Sequence, residues 1–530
     1  MGQVDQTEAI EDLSARDPRS LEIRVRCRAL PFTPPQSSQP IKRARGMHQR
    51  PKPLCHRSHR RAFGLGHQLG KTKTAIVVVA LLLLTATPKT TAQVSPIEMW
   101  AQWAVGQGRW KGPTVPYPQR VSRPDDQGWM LQSERYPLCV HAPPAVSEKR
   151  VHETLAALEQ AYTLLIETGW PEPVADGGYG GTASFDLYLI SQSALSTRAF
   201  VDAPVAWSLL DSASTYAVVD ASVSSDRLQA CVVSALVQAV LLGQDPAEAE
   251  AWRRATGAYV AWLISGRYGC DDDVEMKQEN PWQGWITDSL EYGEGGALFL
   301  AALSERADGG SGTFLRELWQ FARQKSEDKR WLRGSPDLWE ALDKALKNAG
   351  DSLVEIVEDI AVARYFAGSE PRRRRAPFCA FKTLREDGRV PVLGPISIAQ
   401  LPKHLPVSDP PLETYGSGYT MVDTAQALFP LQLKIWLRGE HGGRWSLIAI
   451  RLSKEGQELG RMAVPARRDP NSYLALELTR ETDRVLIVVT NLSDEVPDAD
   501  LDTRNGRVYR LILDKSESAI DVVPVTMQAE

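Results

Sequence analysis

The chain has 530 residues, of which 43% are hydrophobic and 24% are charged. This length allows two or three domains, and the composition is that of an ordinary globular protein with enough apolar residues for their cores. The formal net charge of -5 argues neither for nor against a polyanionic partner, because it averages regions of very different character. Residues 24–73, for instance, contain many Lys and Arg residues but no Asp or Glu, an asymmetry that is typical of targeting segments. We expect no nucleic acid as partner.

The N-terminal part is predicted to direct export rather than to fold. Residues 1–70 form a basic segment with paired prolines and serines, which is typical of disorder and suggests a later start site such as Met47. Residues 71–92 are predicted to be a signal peptide or membrane anchor, because two lysines precede the apolar run AIVVVALLLLTA at 75–86. We therefore expect an exported protein of the periplasm, cell surface or extracellular space. If the segment is not cleaved, residues 75–86 are expected to anchor the chain in a membrane.

Four cysteines follow the targeting segment and could form two disulfides in an oxidising compartment. Sequence alone does not choose among the three possible pairings of Cys139, Cys231, Cys270 and Cys379. A buried free thiol is the alternative for Cys231, because this residue lies in an apolar helical pattern.

The first folded elements are predicted downstream of an N-terminal extension. Residues 93–144 are rich in Trp, Pro and Gly, and we expect them to cover the domain that follows. A helix is predicted over residues 147–169, capped by its first residue and ended by its last, which is Gly. Short strands are predicted over 185–190 and 216–223.

From residue 226 to about residue 368 the hydrophobic pattern is helical. Gly, Pro, Asp and Ser residues divide it into predicted helices over 226–242, 247–265, 289–305, 312–326, 336–348 and 352–367. With the preceding helix and strands, these elements predict a mainly helical domain with a small sheet over residues 145–369.

A linker and a β-rich region are predicted to complete the chain. Residues 370–411 contain four consecutive arginines and recurring prolines, which favour a solvated linker over a docking site for an anion. Residues 412–530 alternate apolar and polar positions in short runs and predict a β-sandwich. Its strands are predicted over 431–436, 445–452, 474–478, 484–490 and 507–513.

The most informative segment combines a strand and two helices between residues 216 and 264. The strand is YAVVDASV, the first helix is DRLQACVVSALVQAVLLG, and the second contains AEAWRRATGAYVAWL. This order resembles the active-site half of exported bacterial gluzincin-type zinc metallopeptidases. In that family the first helix carries His-Glu-x-x-His and the second carries a liganding Glu. Ligands at i and i+4 share one helix face, and the Glu beside the first ligand acts as the base.

The resemblance covers roughly residues 130–515, although each motif alone is weak. Further similar stretches are FDLYL at 185–189, GGALFL at 295–300, AVARYF at 361–366 and GSGYTMVD at 416–423. The resemblance implies an α+β, zincin-like fold: a mainly helical peptidase-type domain with a small N-terminal sheet, followed by a C-terminal antiparallel β-sandwich.

All four catalytic positions depart from the family pattern. The first His, the base, the second His and the liganding Glu correspond to Ser234, Ala235, Gln238 and Thr256. The three polar side chains are poor zinc ligands. Ala235 cannot accept a proton, and loss of the base alone costs about 10²–10⁴-fold in rate. No His occurs between residues 211 and 403, so we expect no metal, no other cofactor and no hydrolysis by the zinc mechanism.

The resemblance therefore implies a pseudopeptidase that binds a peptide, a protein or a cell-envelope component. The candidate binding residues are Ser234, Gln238 and Thr256, with Tyr259 and Trp262 as apolar contacts, and all five could instead be ordinary core residues. One alternative is an active hydrolase that uses unconventional residues or a metal site elsewhere. Another is a structural cell-surface module that acts through the β-sandwich.

Overall fold

The structure of the protein is a computed structural model, and all structural statements below concern the residues that it describes. These are residues 114–118, 120–124, 128–191, 197–205, 208–270, 273–286, 293–323, 331–335, 337–367, 378, 381, 384, 390–467, 469–492 and 506–517. Contacts between Cα atoms group the chain into residues 1–99 and residues 100–530, and every described residue belongs to the second unit. The predicted targeting segment and Cys379 lie outside the described residues.

The first part of the fold is built on a five-stranded sheet. The strands in chain order are β1 (Thr114–Pro116), β2 (Trp129–Gln132), β3 (Leu138–Ala142), β4 (Phe185–Ile190), β5 (Arg198–Pro204), β6 (Ala213–Asp220) and β7 (Trp331–Arg333). The sheet has the order β2-β3-β4-β6-β5, and β1 pairs with β7 in a separate two-stranded sheet. Strands β3, β4 and β6 run parallel, whereas the edge strands β2 and β5 run antiparallel to their neighbours.

Eight α-helices accompany this sheet in the described chain. They are α1 (Glu148–Glu167), α2 (Ser225–Gln244), α3 (Glu250–Ser265), α4 (Asp273–Glu279), α5 (Ala297–Asp308), α6 (Thr313–Ala322), α7 (Leu338–Asn348) and α8 (Leu353–Tyr365). A 3₁₀ turn at Gly293–Gly296 directly precedes α5. As predicted, Ser147 caps α1, because its hydroxyl accepts a hydrogen bond from the backbone N–H of Arg150 at 3.3 Å.

Helix α2 forms the centre of the helical part. Its residues from Ala230 to Gln244 are all buried, because the helix is apolar on every side and packs against α1, α3, β5 and β6. Among the described helices, α2 is the one whose length and composition would also suit a membrane span. Since protein surrounds it in this fold, it is a core helix.

Nine strands lie in the described part of the C-terminal region, and most of them pair in antiparallel fashion. They are β8 (Leu393–Ser397), β9 (Lys403–His404), β10 (Ser417–Asp423), β11 (Leu431–Gly439), β12 (Trp445–Leu452), β13 (Glu458–Arg467), β14 (Asn471–Leu478), β15 (Arg484–Asn491) and β16 (Tyr509–Glu517). One sheet has the order β13-β12-β15-β10-β8 and the other β14-β11-β16-β9. Only the pairing of β8 with β10 is parallel among these described strands.

The five-stranded C-terminal sheet is buried on both faces. Leu447 of β12 belongs to the core between the two sheets, whereas its neighbour Ile448 belongs to the core shared with the helices. The hydroxyl of Tyr419 donates a hydrogen bond to the carbonyl oxygen of Ala361 in α8 at 2.7 Å. The four-stranded sheet instead alternates buried and partly exposed positions along β11, as expected for a sheet with one outer face. The result is a helical layer followed by two sheets.

The predicted mixture of helices and mainly antiparallel C-terminal strands is confirmed, with several corrections to the boundaries. The strand predicted over 216–223 ends at Asp220, whose carboxylate accepts a hydrogen bond from the N–H of Ser222 and so begins a turn. The helix predicted from residue 247 begins at Glu250, because Pro246 ends the preceding helical segment.

Other differences concern whole elements. The helix predicted over 289–305 begins only at residue 297, after the 3₁₀ turn. Strand β7 interrupts the region that was predicted to be helical throughout, and α4, β5, β10 and β13 were not predicted. Strands β8 and β9 lie within the predicted linker 370–411. Strands β2 and β3 lie within the predicted extension 93–144 and pair with the sheet of the following domain.

Candidate functional site

Two of the predicted site residues meet on the central helix. Ser234 and Gln238 lie one turn apart on α2, and the Nε2 atom of Gln238 donates a hydrogen bond to the Oγ atom of Ser234 at 3.1 Å. The Ser234 hydroxyl in turn donates to Oε1 of Glu294 at 3.0 Å. All three side chains are buried, so this polar chain lies inside the fold.

Glu294 completes the chain and was not singled out from the sequence. It belongs to the 3₁₀ turn before α5, and its second carboxylate oxygen accepts the backbone N–H of Cys270 at 2.9 Å. Cys270 forms a disulfide with Cys231, which lies one turn before Ser234 on α2. A buried carboxylate requires such partners, because burial without hydrogen bonds would be strongly unfavourable. We call Ser234, Gln238, Glu294 and the Cys270 N–H the helix network.

The structure shows one disulfide among the pairings that the sequence left open. Cys231 pairs with Cys270, so the alternative of a free thiol at Cys231 is wrong. Cys139 has a free, buried thiol.

Helix α3 packs directly against the helix network. A Cβ atom at Gly257 would lie 2.8 Å from the backbone oxygen of Ser234 and 3.1 Å from Cγ of Gln238. The backbone of α3 therefore closes the space beside these two side chains. Ala235, at the predicted position of the base, is also fully buried.

The other three candidate binding residues, Thr256, Tyr259 and Trp262, do not belong to the helix network. The Thr256 hydroxyl accepts a hydrogen bond from the indole N–H of Trp319 at 3.1 Å. The Tyr259 hydroxyl donates to Ser304 at 2.8 Å, and burial raises the pKa of this phenol. Thr256 and Tyr259 are buried, whereas Trp262 is partly exposed. Of the five candidate binding residues, Trp262 alone has side-chain surface that a ligand could contact without rearrangement of the core.

A second polar cluster lies on the opposite face of the N-terminal sheet. Along β3 and β4 the residues that pack against the helices alternate with a different set: Cys139, His141, Asp186 and Tyr188. Because side chains alternate across a strand, these four project from the face that the helices leave free. The registers of β3 and β4 place Cys139 beside Asp186 and His141 beside Tyr188.

Arg123 is the centre of this second cluster. Its Nη2 atom lies 2.6 Å from Oδ2 of Asp176 and 2.5 Å from Oδ2 of Asp202, and its Nη1 atom pairs with Asp186. Nη1 also donates to the hydroxyl of Tyr188 at 3.1 Å. Burial opposes the charge of Arg123, but hydrogen bonds to Asp202 and Asp186 outweigh it and raise the pKa of the guanidinium.

His141 and Asp186 form a buried pair beside Arg123. Nε2 of His141 lies 2.8 Å from Oδ1 of Asp186, and the imidazole stacks on Tyr188 at 4.5 Å between ring centroids. Burial alone would lower the pKa of His141, but hydrogen bonds with Asp186 and Cys139 raise this pKa to about 9. The pKa of Asp186 is lowered, because the hydrogen bonds from His141 and Arg123 outweigh its burial. We call Arg123, Asp176, Asp186, Asp202, His141 and Cys139 the sheet cluster.

The sheet cluster contains the described residues that could hold a metal ion. One ligand atom from each of Cys139, His141 and Asp186 lies within 4.8 Å of the other two. The sequence offered one signal for this site, a charged residue inside the otherwise apolar strand FDLYLI. It offered none for the long-range approach of Arg123.

Neither a scan against protein-family models nor a search of curated proteins gave a match to this chain. The gluzincin resemblance therefore depends on the quoted motifs alone. The function has to be argued from the geometry of the helix network and the sheet cluster.

Proposed function

We propose that this chain is an exported, catalytically inactive metallopeptidase-like protein with a binding or scaffolding role. Its partner would be a peptide, a protein or a cell-envelope component. The observation that carries the proposal is the helix network: two of the three positions that would hold zinc in an active relative, Ser234 and Gln238, are joined to each other and, through Ser234, to the carboxylate of Glu294 by buried hydrogen bonds. The third position, Thr256, bonds to Trp319 instead. Such a network stabilises the fold and leaves no group free to activate water.

The chemistry of these positions supports inactivity. Ala235 has no group that could take a proton from water, and Ser234 and Gln238 already satisfy each other. If the hydrogen bond from Ser234 to Glu294 were broken, each buried polar atom that lost its partner would cost about 1–3 kcal/mol of stability. Recruiting these side chains to a metal would therefore oppose the stability of the native core.

The order of elements supports a zincin-like architecture as part of this proposal. Strand β6 leads into α2 and then α3, the order on which the resemblance was based. Strand β5, the antiparallel edge strand next to β6, contacts α2.

The disulfide supports export. A bond between Cys231 and Cys270 in the core of the helical part persists in oxidising compartments and is rare in the cytosol. Together with the apolar run at 75–86, it favours the periplasm, cell surface or extracellular space. Membrane anchorage through that run fits the same proposal.

The partner-binding role is best sought near Trp262. Its ring stacks on Tyr268 with 5.2 Å between centroids and an interplanar angle of 3°. Both rings are partly buried, so they combine a fixed position with some accessible surface. A rigid aromatic pair of this kind is a suitable anchor for an apolar group of a partner.

A hydrolysis assay tests the inactive assignment. We expect the purified full-length chain to cleave a mixture of unstructured peptides no faster than buffer, with or without added Zn²⁺. The variants Glu294→Gln and Glu317→Gln should behave identically, because Glu317 is an exposed acid on α6 and serves as the matched control. Chelator-sensitive cleavage that Glu294→Gln abolishes and Glu317→Gln retains would instead establish the active hydrolase.

The structural-module alternative requires point substitutions rather than a deletion. Removal of residues 412–530 would uncover the helical core, because the five-stranded C-terminal sheet shares that core. A pull-down from envelope extracts can compare Trp262→Ala with Tyr473→Ala, an exposed aromatic on the outer sheet. Loss of a reproducible partner in Trp262→Ala supports the proposed surface, whereas loss only in Tyr473→Ala favours the sandwich.

A further inference from the structure

The sheet cluster has a feature that the inactive peptidase assignment does not use. Cys139 and His141 are two residues apart on β3, and Asp186 is the direct neighbour of Cys139 on β4. The pleat of the sheet therefore sends all three side chains to one face. Each contributes one potential ligand atom, and these atoms lie within 4.8 Å of one another.

The donor set matches one class of metal ion. A thiolate, an imidazole and a carboxylate are the ligands that Zn²⁺ takes in proteins, whereas Ca²⁺ and Mg²⁺ prefer oxygen alone. Zinc bonds of about 2.0–2.3 Å place ligand atoms roughly 3.3–3.8 Å apart in a tetrahedron. Three atoms already confined within 4.8 Å reach this arrangement through small side-chain rotations. Three protein ligands leave the fourth position to a small molecule such as water.

The surroundings of Asp186 fit a liganding carboxylate. Arg123 holds its Oδ2 atom, and Oδ1 is directed at His141. Liganding carboxylates commonly have their outer oxygen fixed by a hydrogen bond in this way.

We propose that Cys139, His141 and Asp186 bind one divalent transition-metal ion of the zinc class, with Arg123 positioning Asp186. The site lies on the face of the N-terminal sheet opposite to α1 and α2 and is separate from the helix network. Since all three ligands are fully buried, the ion has a structural role. The ion links β3 to β4 next to the segment that contains Arg123. The proposal is independent of whether the chain is an inactive peptidase.

Metal content of the purified full-length chain tests this assignment. The untagged protein is equilibrated with Zn²⁺, dialysed against metal-free buffer and measured by inductively coupled plasma mass spectrometry. We expect one zinc ion per chain in the wild type and binding weakened by about tenfold or more in Cys139→Ser and His141→Gln. The control variants His152→Gln and Cys379→Ser should retain the ion, because His152 is exposed on α1 and neither residue is one of the three proposed ligands.

Substitution with Co²⁺ gives a second, spectroscopic readout. A cobalt–thiolate bond produces a near-ultraviolet charge-transfer band, which we expect in the wild type and in Cys379→Ser but not in Cys139→Ser. If Cys139→Ser fails to fold, judged by circular dichroism, Cys139→Ala provides the same test with a smaller side chain. Absence of zinc and cobalt from the folded wild type would overturn the proposal and leave an ion pair of Asp186 with a protonated His141.

Retention of zinc in both Cys139→Ser and His141→Gln would also overturn it. Loss of that zinc in Glu294→Gln would then locate the ion at the helix network and contradict the inactive assignment as well. Loss of zinc only in the Cys139 and His141 variants leaves the inactive assignment untouched. Different experimental results would therefore contradict the proposed zinc site and the inactive assignment.

Discussion

The helix network and the sheet cluster solve the problem of buried polar groups in opposite ways. The helix network joins two uncharged side chains of one helix to a carboxylate and a backbone N–H through hydrogen bonds. The sheet cluster gathers one arginine, three carboxylates and a histidine into direct ionic contact. The region whose sequence pattern was recognised is held by hydrogen bonds, whereas the region that the pattern did not reveal is held by ion pairs.

Loss of the central arginine should have the largest effect and would test how far the sheet cluster depends on charge. We expect Arg123→Ala to lower the free energy of unfolding by about 3–5 kcal/mol, because three carboxylates would lose their shared cation. Urea unfolding monitored by circular dichroism measures this. Arg120→Ala is the matched control, since Arg120 is exposed and contacts only the ring of Tyr179 among the interactions described, worth about 0.5–1 kcal/mol. Equal effects of both substitutions would mean that the cluster is not held by charge.

Lys277 is a buried cation that lacks the three paired carboxylates of Arg123. Burial and the charge of Arg364 together lower the pKa of Lys277 to about 7, and Glu413 only partly opposes them. We expect Lys277→Met to raise the free energy of unfolding by about 1–4 kcal/mol near neutral pH.

The sign of the pH dependence follows from proton binding. Between pH 7 and the ordinary lysine value near 10.5 the unfolded chain binds more protons at Lys277 than the native chain, so wild-type stability rises with pH there. The gain from Lys277→Met is therefore largest below pH 7 and disappears as the pH approaches 10.5. Unfolding curves at several pH values measure it, and a gain that is constant with pH would show that Lys277 does not titrate in this range.

The smallest expected effect is at the helix network. Glu294→Ala removes the acceptor of the Ser234 hydroxyl and of the Cys270 N–H, and we expect a loss of about 1–3 kcal/mol. Glu294→Gln keeps an acceptor oxygen and should lose less. Glu317→Ala on the surface should stay within about 0.5 kcal/mol of the wild type. If Glu294→Ala matched this control, the helix network would contribute nothing to stability.

Local pattern predicted the elements that are buried and regular. Strands β4 and β12 were predicted residue for residue, because each is a mainly apolar run bounded by turn residues. Of the strands that were not predicted, β5 and β13 lie at sheet edges, where Pro, Gly and charged residues interrupt the alternation, whereas β3 and β10 lie inside their sheets. Edge strands of this kind are specified by their neighbours more than by their own sequence.

The same distinction applies to the two sites. The approach of Ser234 and Gln238 follows from helical spacing, and the sequence predicted that they share a helix face. Glu294 is separated from Ser234 by 60 residues, and Arg123 from Asp202 by 79 residues. No periodicity connects residues so far apart, so the helix network was found only in part and the sheet cluster was missed.

That separation also sets an order of events when the chain is made. Synthesis proceeds from the N-terminus, so Arg123 is present before any of the three carboxylates that receive it. Asp176 arrives first, Asp186 second, and Asp202 last on the edge strand β5. Until that strand has emerged, the segment around Arg123 has only part of its docking place. A nascent chain stalled before residue 202 should therefore be cut by protease near Arg123, while the released protein resists.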